Sequence, residues 1–373
     1  MNRRSYLQGF GAAGISAAAA LASPIEASVT MSRILASQFS YPIKTFAPET
    51  IIKVGMIGID GHTETILGDL PRMKNVQLTT YACYGAPKPP LPKGVRIYDR
   101  YEEMLEKEEL DVVGICLPYS LNAGASIAAA KKKLHIVTEK PVATTIEDFE
   151  ALLKAVISNR VRLTALLNMR LEPTFLAVKE AVAAGKIGEP ILVTAQKSYK
   201  FGQNRPDFYK KKETYGGTIP WVGIHALDYI HFTTELHYTE VMAFHGNKDH
   251  PEYPGFEDYA GILLRLSNGG TAMVNIDYLR PETAPTHGDD RLRIIGAEGV
   301  IEIKDLGARV ELITSSKPSQ DIPLPDRKPF FADFISELRG EGRHVLKPEE
   351  PFEMTRVALL AYRSAEKNIP VRL

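Results

Sequence analysis

The sequence has little of several features that mark whole classes of protein. It contains two cysteines and one tryptophan among 373 residues, so a disulfide-stapled scaffold is excluded as the basis of the fold. Lysine plus arginine equals aspartate plus glutamate at 45 each, and without a basic surplus nothing favours a nucleic-acid partner. Beyond the N-terminal stretch, no apolar run approaches the ~20 residues of a membrane-spanning helix. The composition that remains is globular, and the chain is long enough for two domains.

The N-terminal stretch, MNRRSYLQGFGAAGISAAAALASPIEAS, has the pattern of an export signal. Paired Arg3 and Arg4 precede an aromatic residue, a leucine, a mild apolar stretch and small residues. This order is typical of a twin-arginine signal. We therefore predict a signal at residues 1–27, a linker at 28–50, and a periplasmic or otherwise extracytoplasmic mature protein. A disordered alanine-rich tail and a true start at Met31 remain as alternatives.

The next part of the chain alternates strand-like and helix-like patterns. The apolar runs IKVGMIGI, VQLTTYAC, DVVGICLP, LHIVTEKP and VRLTALLN are separated by segments with helical spacing. Continuous apolar strands that alternate with helices predict a doubly wound parallel sheet, here over residues 51–170. One helix is missing from this pattern, because the proline-rich stretch YGAPKPPLPKG follows the second strand.

From about Glu189 the pattern changes to long strands joined by turns such as Asn268-Gly269 and Glu298-Gly299. Such strands predict a large, mainly antiparallel sheet. We assign residues 171–373 to a second, α+β domain with an open sheet face for a substrate or a partner. Two helical patterns, around KPFFADFISELRG and PFEMTRVALLAYRSAEK, end the chain.

The stretch VGMIGIDGHTE has the form of a strand, a glycine turn and the start of a helix, as in dinucleotide-binding folds. Gly58 fills the place of the first glycine, but Asp60 and Thr63 stand where the second and third glycines are usual. A carboxylate near a pyrophosphate is repulsive by ~1 kcal/mol at about 4 Å in high dielectric. The helix N-terminus and Gly61 still favour an anion, so a cofactor turn and a plain strand-to-helix connection both remain open.

The second strand ends at Cys83, where NAD-binding folds usually place an acid for the ribose hydroxyls. Lys88 and Lys93 follow instead. One interpretation is a preference for NADP, with the lysines close to the 2′-phosphate. The other is weakened cofactor binding, or none.

The order of the motifs resembles that of the glucose–fructose oxidoreductase, inositol dehydrogenase and MocA family. The motifs are the glycine turn, TEKPVATT, NMRLEP, AGKIGEP, GIHALDYI, GAEGVIEI and AYRSAEKN, spread over residues 51–373. The resemblance implies a Rossmann domain and an α/β domain whose open sheet packs against a partner subunit in a homo-oligomer. It also implies NAD or NADP as cofactor and a sugar, polyol or related hydroxy compound as substrate.

The resemblance also assigns the site residues. Lys140 of the EKP motif and His225 of the GxHxxD motif are the expected catalytic residues, because a desolvated lysine and a near-neutral histidine can both assist proton transfer. The cofactor-binding set is Gly58, Asp60, Gly61, His62, Leu117, Pro118, Asn122, Glu139 and Lys140.

The substrate set is Lys197, Arg205, Tyr209, Trp221, His225 and Asp228. Dehydrogenases of the family usually carry an aspartate four residues before the histidine, where this chain has Trp221. The indole either stacks on a sugar ring or belongs to the core. His287 and Arg291 can approach from a neighbouring loop. No metal-ligand spacing is present.

Three functions remain open at this point. The first is an exported NAD(P)-dependent oxidoreductase, in which Lys140 and His225 handle the hydroxyl proton. The second is a redox-neutral enzyme that oxidises a sugar transiently and cleaves a glycosidic bond. The third is a carbohydrate-binding protein that has lost turnover. Retention of Lys140 and His225 favours an enzyme, and we predict the oxidoreductase.

Overall fold

A computed structural model describes residues 32–87, 89–202 and 205–373. The predicted export signal and Lys88 lie outside these residues. Of the predicted linker, residues 32–38 form a helix (α1), and Phe46 is buried with its N–H bonded to the carbonyl of Leu338. The described part of the linker is therefore packed on the protein.

The first sheet has six strands, all parallel, in the order β3-β2-β1-β4-β5-β6. They are β1 (Ile52–Ile57), β2 (Val76–Ala82), β3 (Arg96–Tyr98), β4 (Val112–Ile115), β5 (His135–Thr138) and β6 (Leu163–Ala165). We call the part of the protein that contains this sheet the first half and the part that contains the second sheet the second half. The helices of the first half are α2 (Thr63–Leu67), α3 (Tyr101–Lys107), α4 (Asn122–Lys131) and α5 (Ile146–Asn159). Strands β4, β5 and β6 are buried throughout, as expected of a sheet covered on both faces. The predicted parallel sheet is confirmed, and the described residues between β2 and β3 contain no helix.

The second sheet has nine strands in the order β14-β13-β12-β11-β7-β10-β9-β8-β15. They are β7 (Pro190–Tyr199), β8 (Tyr238–Gly246), β9 (Tyr259–Leu266), β10 (Thr271–Asp277), β11 (Gly288–Gly296), β12 (Gly299–Lys304), β13 (Arg309–Thr314), β14 (Lys317–Asp321) and β15 (Val371–Arg372). Strands β7 and β10 pair in parallel and the other pairs are antiparallel. The predicted, mainly antiparallel sheet is confirmed.

The helices of the second half are α6 (Pro173–Ala183), α7 (Lys212–Tyr215), α8 (Ile224–Thr234), α9 (Phe330–Leu338) and α10 (Glu350–Lys367). Of these, α6, α8 and α10 cover one face of the second sheet. Helix α10 packs on β8 and α8, and it also touches α5 and β6 of the first half. Arg162, beside β6, forms an ion pair with Glu337 of α9. The C-terminal helices therefore join the two sheets, and the carboxyl ends of the parallel strands face α8 and β7.

The other face of the second sheet carries exposed apolar side chains. Leu263 pairs with both Met242 and Met273, and directly paired residues share a face. On this face Phe244, Leu263 and Met273 are about half exposed. No helix among the described residues is long and apolar enough to cross a membrane.

Candidate active site

A cavity of about 340 Å³ lies between the carboxyl ends of the parallel strands and the second sheet. The first half contributes the glycine turn, the loop after β4 and the loop after β5. The second half contributes β7, the segment that follows it, the start of α8 and the end of β10. The residues that line the cavity are Asp60, Gly61, His62, Tyr119, Lys140, Tyr199, Arg205, Pro206, Phe208, Tyr209, Trp221, His225, Tyr278 and His287.

The glycine turn is tight at both of its glycines. Gly58 has φ +76°, and a Cβ there would collide with the backbone carbonyl of Cys116 at the end of β4. Gly61 has φ +69°, and a Cβ there would collide with the carboxylate of Glu139. Only glycine avoids both the strained conformation and the collision. The predicted tight turn is therefore present, with Gly61 close to the EKP motif.

Glu139 forms a buried pair with His62. Its carboxylate accepts the backbone N–H of His62, and the ring Nδ1 of His62 lies 3.0 and 3.1 Å from the two carboxylate oxygens. Burial alone raises the pKa of Glu139, but His62 and Lys140 outweigh burial and hold that pKa below its usual value. Glu139 therefore stays ionised at the first turn of α2, where a carboxylate is favourable.

Asp60 is the second carboxyl group at this turn. Its side chain lines the cavity, while its N–H donates to the carbonyl of Cys116 at 2.8 Å. Burial, together with the charge of Glu139, raises the pKa of Asp60 to about 6. The group can therefore lose its charge near neutral pH, which removes its repulsion of another anion.

Lys140 is buried at the end of β5, and a cis peptide bond joins it to Pro141. Its Nζ donates to the backbone carbonyl of Trp221 at 2.5 Å and lies 3.1 Å from the centroid of the indole ring. Burial lowers the pKa of Lys140 well below its usual value. A lysine in this state can exchange a proton with a bound hydroxyl.

His225, near the start of α8, is buried beside these groups, and its Nδ1 has no hydrogen-bond partner among the described residues. Its ring lies 5.4 Å from that of His62. Burial and the charge of Lys140 lower the pKa of His225 well below its usual value. The imidazole is therefore neutral and has a nitrogen free to take a proton.

Trp221 does not offer a face to a sugar ring. Its indole stacks on the ring of Tyr119 with centroids 3.5 Å apart, and Nζ of Lys140 lies 3.1 Å from the same centroid. Two groups that close to one centroid must lie on opposite faces. The side chain borders the cavity while holding Lys140 and the loop after β4 in place. Of the two interpretations of Trp221, the structure favours the one that makes it part of the core.

Two residues of the predicted substrate set lie outside the cavity lining. Both carboxylate oxygens of Asp228 are bound by the guanidinium of Arg170, at 2.7 to 3.1 Å. Nζ of Lys197 lies 2.7 Å from the carboxylate of Asp290. The structure thus gives Asp228 and Lys197 different roles from the predicted one, because each is already engaged by an opposite charge. Arg205 and Tyr209 do line the cavity.

Asn122 retains a free amide nitrogen. Its Oδ1 accepts the N–H of Leu117 at 3.0 Å, but its buried Nδ2 has no partner among the described residues. Such a donor is rare unless a bound group satisfies it. Leu117 is buried against Gly58, and Pro118 begins the turn that carries Tyr119.

These features fit a dinucleotide at the carboxyl ends of the strands. The tight turn and the unpaired Nδ2 of Asn122 suit phosphate, ribose or amide oxygens, although the carboxylate of Glu139 already accepts the N–H of His62 just before α2. The carboxylate of Asp60 is the group that disfavours a pyrophosphate here. Lys93 is remote from this end of the sheet, because it borders a separate cavity with Lys53 and Gln77 at the opposite strand ends. This position does not favour the interpretation that Lys93 contacts a 2′-phosphate, and Lys88 lies outside the described residues.

Several cavity residues were missed by sequence reasoning. Tyr119 directly follows the predicted Pro118, and Phe208 directly precedes the predicted Tyr209. Their positions beside predicted site residues could have indicated that they line the cavity. Tyr278 follows β10, which becomes a neighbour of the cavity only through its parallel pairing with β7. His287 lines the cavity and stacks on Tyr199 at 5.0 Å, whereas Arg291 is exposed and paired with Asp289.

Comparison with known proteins assigns both halves of the chain. Residues 52–166 match the family described as "Oxidoreductase family, NAD-binding Rossmann fold", and residues 175–302 match the "GFO/IDH/MocA C-terminal domain". The chain belongs to the Gfo/Idh/MocA family. The resemblance in its motifs is confirmed, and the protein is an oxidoreductase of an NAD-binding family.

Individual relatives agree with this assignment. A solved structure from Thermotoga maritima, described as an oxidoreductase, is 38% identical, with a TM-score of 0.81, and the match covers 86% of this chain and all of that one. The scyllo-inositol 2-dehydrogenase (NAD(+)) of Bacillus subtilis is 27% identical over 73% of this chain and 80% of that protein. The uncharacterized oxidoreductase YrbE of Bacillus subtilis is 28% identical over 201 residues. The match covers 53% of this chain and 57% of the length of YrbE.

Proposed function

We propose that the protein is an NAD(P)-dependent dehydrogenase that oxidises a hydroxyl group of a sugar, a polyol or a related hydroxy compound. The observation that carries the proposal is the neutral His225, with a free ring nitrogen, beside the buried Lys140 in the cavity. The inositol dehydrogenases among the relatives act on cyclic polyols, which supports the substrate class.

The side chains of this protein would bind and deprotonate the alcohol. His225 accepts the hydroxyl proton, and Lys140 stabilises the developing alkoxide by a short hydrogen bond. Phenol groups at the cavity wall, including Tyr209 with its hydroxyl 2.6 Å from that of Tyr119, orient further hydroxyls. The cofactor, when bound, supplies the hydride acceptor. Gly58, Gly61, the first turn of α2 and Asn122 would hold it.

Two measurements on the purified protein test this proposal. Mass spectrometry of the denatured protein identifies any bound NAD or NADP. A screen of inositols, aldoses and their acids then follows the absorbance of the reduced nicotinamide. The proposal expects turnover that His225→Ala reduces by about 10²–10⁴-fold, the usual contribution of a general base. Full turnover in His225→Ala would contradict the assigned role of this residue.

A second candidate function is redox-neutral cleavage of a glycosidic bond. The observation that favours it is Asp60, a cavity carboxyl group with a pKa of about 6, which can donate a proton to a leaving group. Such an enzyme would need NAD and release sugar without a net change in nicotinamide absorbance. A protein that binds sugars and forms no product would instead be a carbohydrate-binding member of the family.

We also propose that the chain is exported, because paired Arg3 and Arg4 precede a mild apolar stretch. Fusing residues 1–31 to a reporter that works only after export tests this directly. Export is expected to be lost when both arginines are replaced by lysine. A reporter that stays inside the cell with the unaltered sequence would contradict the proposal.

The exposed apolar face of the second sheet supports a further proposal, that two copies associate through it. Phe244, Leu263 and Met273 form a contiguous apolar patch on adjacent strands. Patches of this kind on an open sheet mark interaction surfaces.

A further inference from the structure

Arg205 is a cation in the cavity wall without a counter-charge. Its Nε donates to the carbonyl of Phe201 at 2.6 Å, and its two terminal nitrogens donate to the carbonyl of Lys200 at 3.2 Å and to the hydroxyl of Tyr209 at 3.3 Å. All three acceptors are neutral. Among the described residues no carboxylate forms an ion pair with its guanidinium.

Among the described residues, the buried cations Arg170 and Lys197 have acidic partners, unlike the half-buried Arg205. Arg170 is paired with Asp228 and Glu350, and Lys197 is paired with Asp290. Lys140 likewise forms no ion pair with a described residue, but an ammonium can release its proton when it is desolvated. A guanidinium cannot, so the charge of Arg205 persists whatever the pH. A persistent positive charge on the wall of a cleft attracts an anion into it.

The surroundings of Arg205 hold its guanidinium in one orientation. The central carbon lies 4.6 to 5.2 Å from the ring centroids of Phe201, Tyr209 and Tyr278. A guanidinium has five N–H groups, and three of them have the acceptors described above. The two that remain belong to the terminal nitrogens, which form the fork that binds a carboxylate through parallel hydrogen bonds.

The charges of the cavity are separated between its two walls. Asp60, His62 and Lys140 lie on the wall of the first half, and His225 lies on the wall of the second half. Arg205 lies on the wall of the second half beside Tyr278. A substrate with a hydroxyl at one end and an anionic group at the other would match this arrangement.

We propose that the substrate carries a carboxylate bound by Arg205, so that the enzyme acts on sugar acids or carboxylated polyols rather than on neutral sugars. This inference rests on the proposed dehydrogenase function of the same cavity. A sugar phosphate presents a similar anion to the fork. We assign the carboxylate because Arg205 is the one arginine among the described lining residues, and its single permanent charge matches a carboxylate better than a phosphate with a charge of about −1.5 to −2.

Calorimetric binding to the full protein, with and without NAD, tests the inference. The probes are pairs that share a ring and differ in the acid, glucose with glucuronate and galactose with galacturonate, together with glucose 6-phosphate. The experiment compares the unaltered protein with three variants, which are Arg205→Gln, Arg205→Lys and the control Arg291→Gln. Arg291 is exposed outside the cavity. Melting temperatures confirm that each variant is folded.

The acids are expected to bind about 10- to 100-fold more tightly than their neutral partners, as for hydrogen bonds to a charged group. Arg205→Gln should remove this preference, so that an acid and its neutral partner bind with equal affinity. Arg205→Lys should keep part of the preference, and Arg291→Gln all of it. Equal binding of acid and neutral partners, or tighter binding of the phosphate, would overturn the inference alone. If no probe binds in the presence of NAD, both the inference and the proposed dehydrogenase function fail.

Discussion

At the scale of single residues, two carboxyl groups meet at the glycine turn, Asp60 of the turn itself and Glu139 of the EKP motif. Glu139 accepts the backbone N–H of His62, whereas Asp60 faces the cavity with a pKa raised to about 6. Above this pKa the charge of Asp60 opposes a pyrophosphate. The turn can therefore bind a dinucleotide, but with a penalty that depends on pH.

Asp60→Asn is expected to increase the affinity for NADH. Removing one charge at about 4 Å in high dielectric is worth ~1 kcal/mol, about fivefold in the dissociation constant. The unaltered protein should bind NADH more tightly as pH falls through 6, because Asp60 is then protonated, and the variant should lose this dependence. Calorimetry at several pH values measures both effects, with the exposed Asp326→Asn as control. A variant that binds more weakly would contradict this account of Asp60.

The pH profile of turnover tests the neutral state of His225. A histidine accepts a proton only when neutral, and the pKa of His225 is lowered by burial and by Lys140. The acid limb of kcat/KM at saturating cofactor should therefore lie below the usual histidine pKa of about 6.5. Measuring the profile in Asp60→Asn separates this limb from the titration of Asp60. An acid limb above pH 7 would be inconsistent with a desolvated His225.

At the scale of elements, helix α8 is held by a buried ion network three residues beyond His225. Arg170 binds Asp228 of α8 and also Glu350 at the start of α10, the latter at 2.6 Å. The network therefore fixes the helix that carries His225, the proposed general base, and Asp228 would act as a positioning residue.

Arg170→Met should cost about 3–5 kcal/mol of the free energy of unfolding, because it leaves the buried carboxylate of Asp228 without its ion pair and Glu350 with only His231 and the N–H of Lys347. Replacing the exposed Arg100, which pairs with Glu102 at the surface, should cost less than about 1 kcal/mol. Denaturant unfolding of both variants measures the difference. If Arg170→Met lowered the free energy of unfolding by less than about 1 kcal/mol, as expected for a surface ion pair, the network would not stabilise α8.

The order of helices and strands could be predicted from the sequence, but the side-chain contacts between residues distant in the sequence could not. Buried strands such as VVGI and the long strands after Glu189 identified both sheets, because apolar periodicity is local. Lys140 and His225 were found through short motifs. The partner of Asp228 was missed because Arg170 lies 58 residues away in the sequence. Likewise, only the fold shows that Tyr119 and Lys140 cover both faces of Trp221.

At the scale of the whole molecule, the two halves form the cavity jointly, and the second sheet leaves its apolar face open. Leu263→Glu should lower the mass of the particle in solution, since a charge at the centre of an apolar interface is costly to bury. Light scattering after size exclusion measures this mass. The exposed Leu324, on the loop before α9, provides the control Leu324→Glu. An unchanged mass in Leu263→Glu would exclude this face as the interface.

The central claim is that the altered glycine turn still places a nicotinamide cofactor beside Lys140 and His225. Trp221 is the only tryptophan of the chain and borders the cavity, so its fluorescence reports on this site alone. A titration with NADH should quench Trp221 emission to saturation and sensitise the emission of the nicotinamide. Emission that stays unchanged, up to millimolar NADH and in Asp60→Asn as well, would contradict the claim.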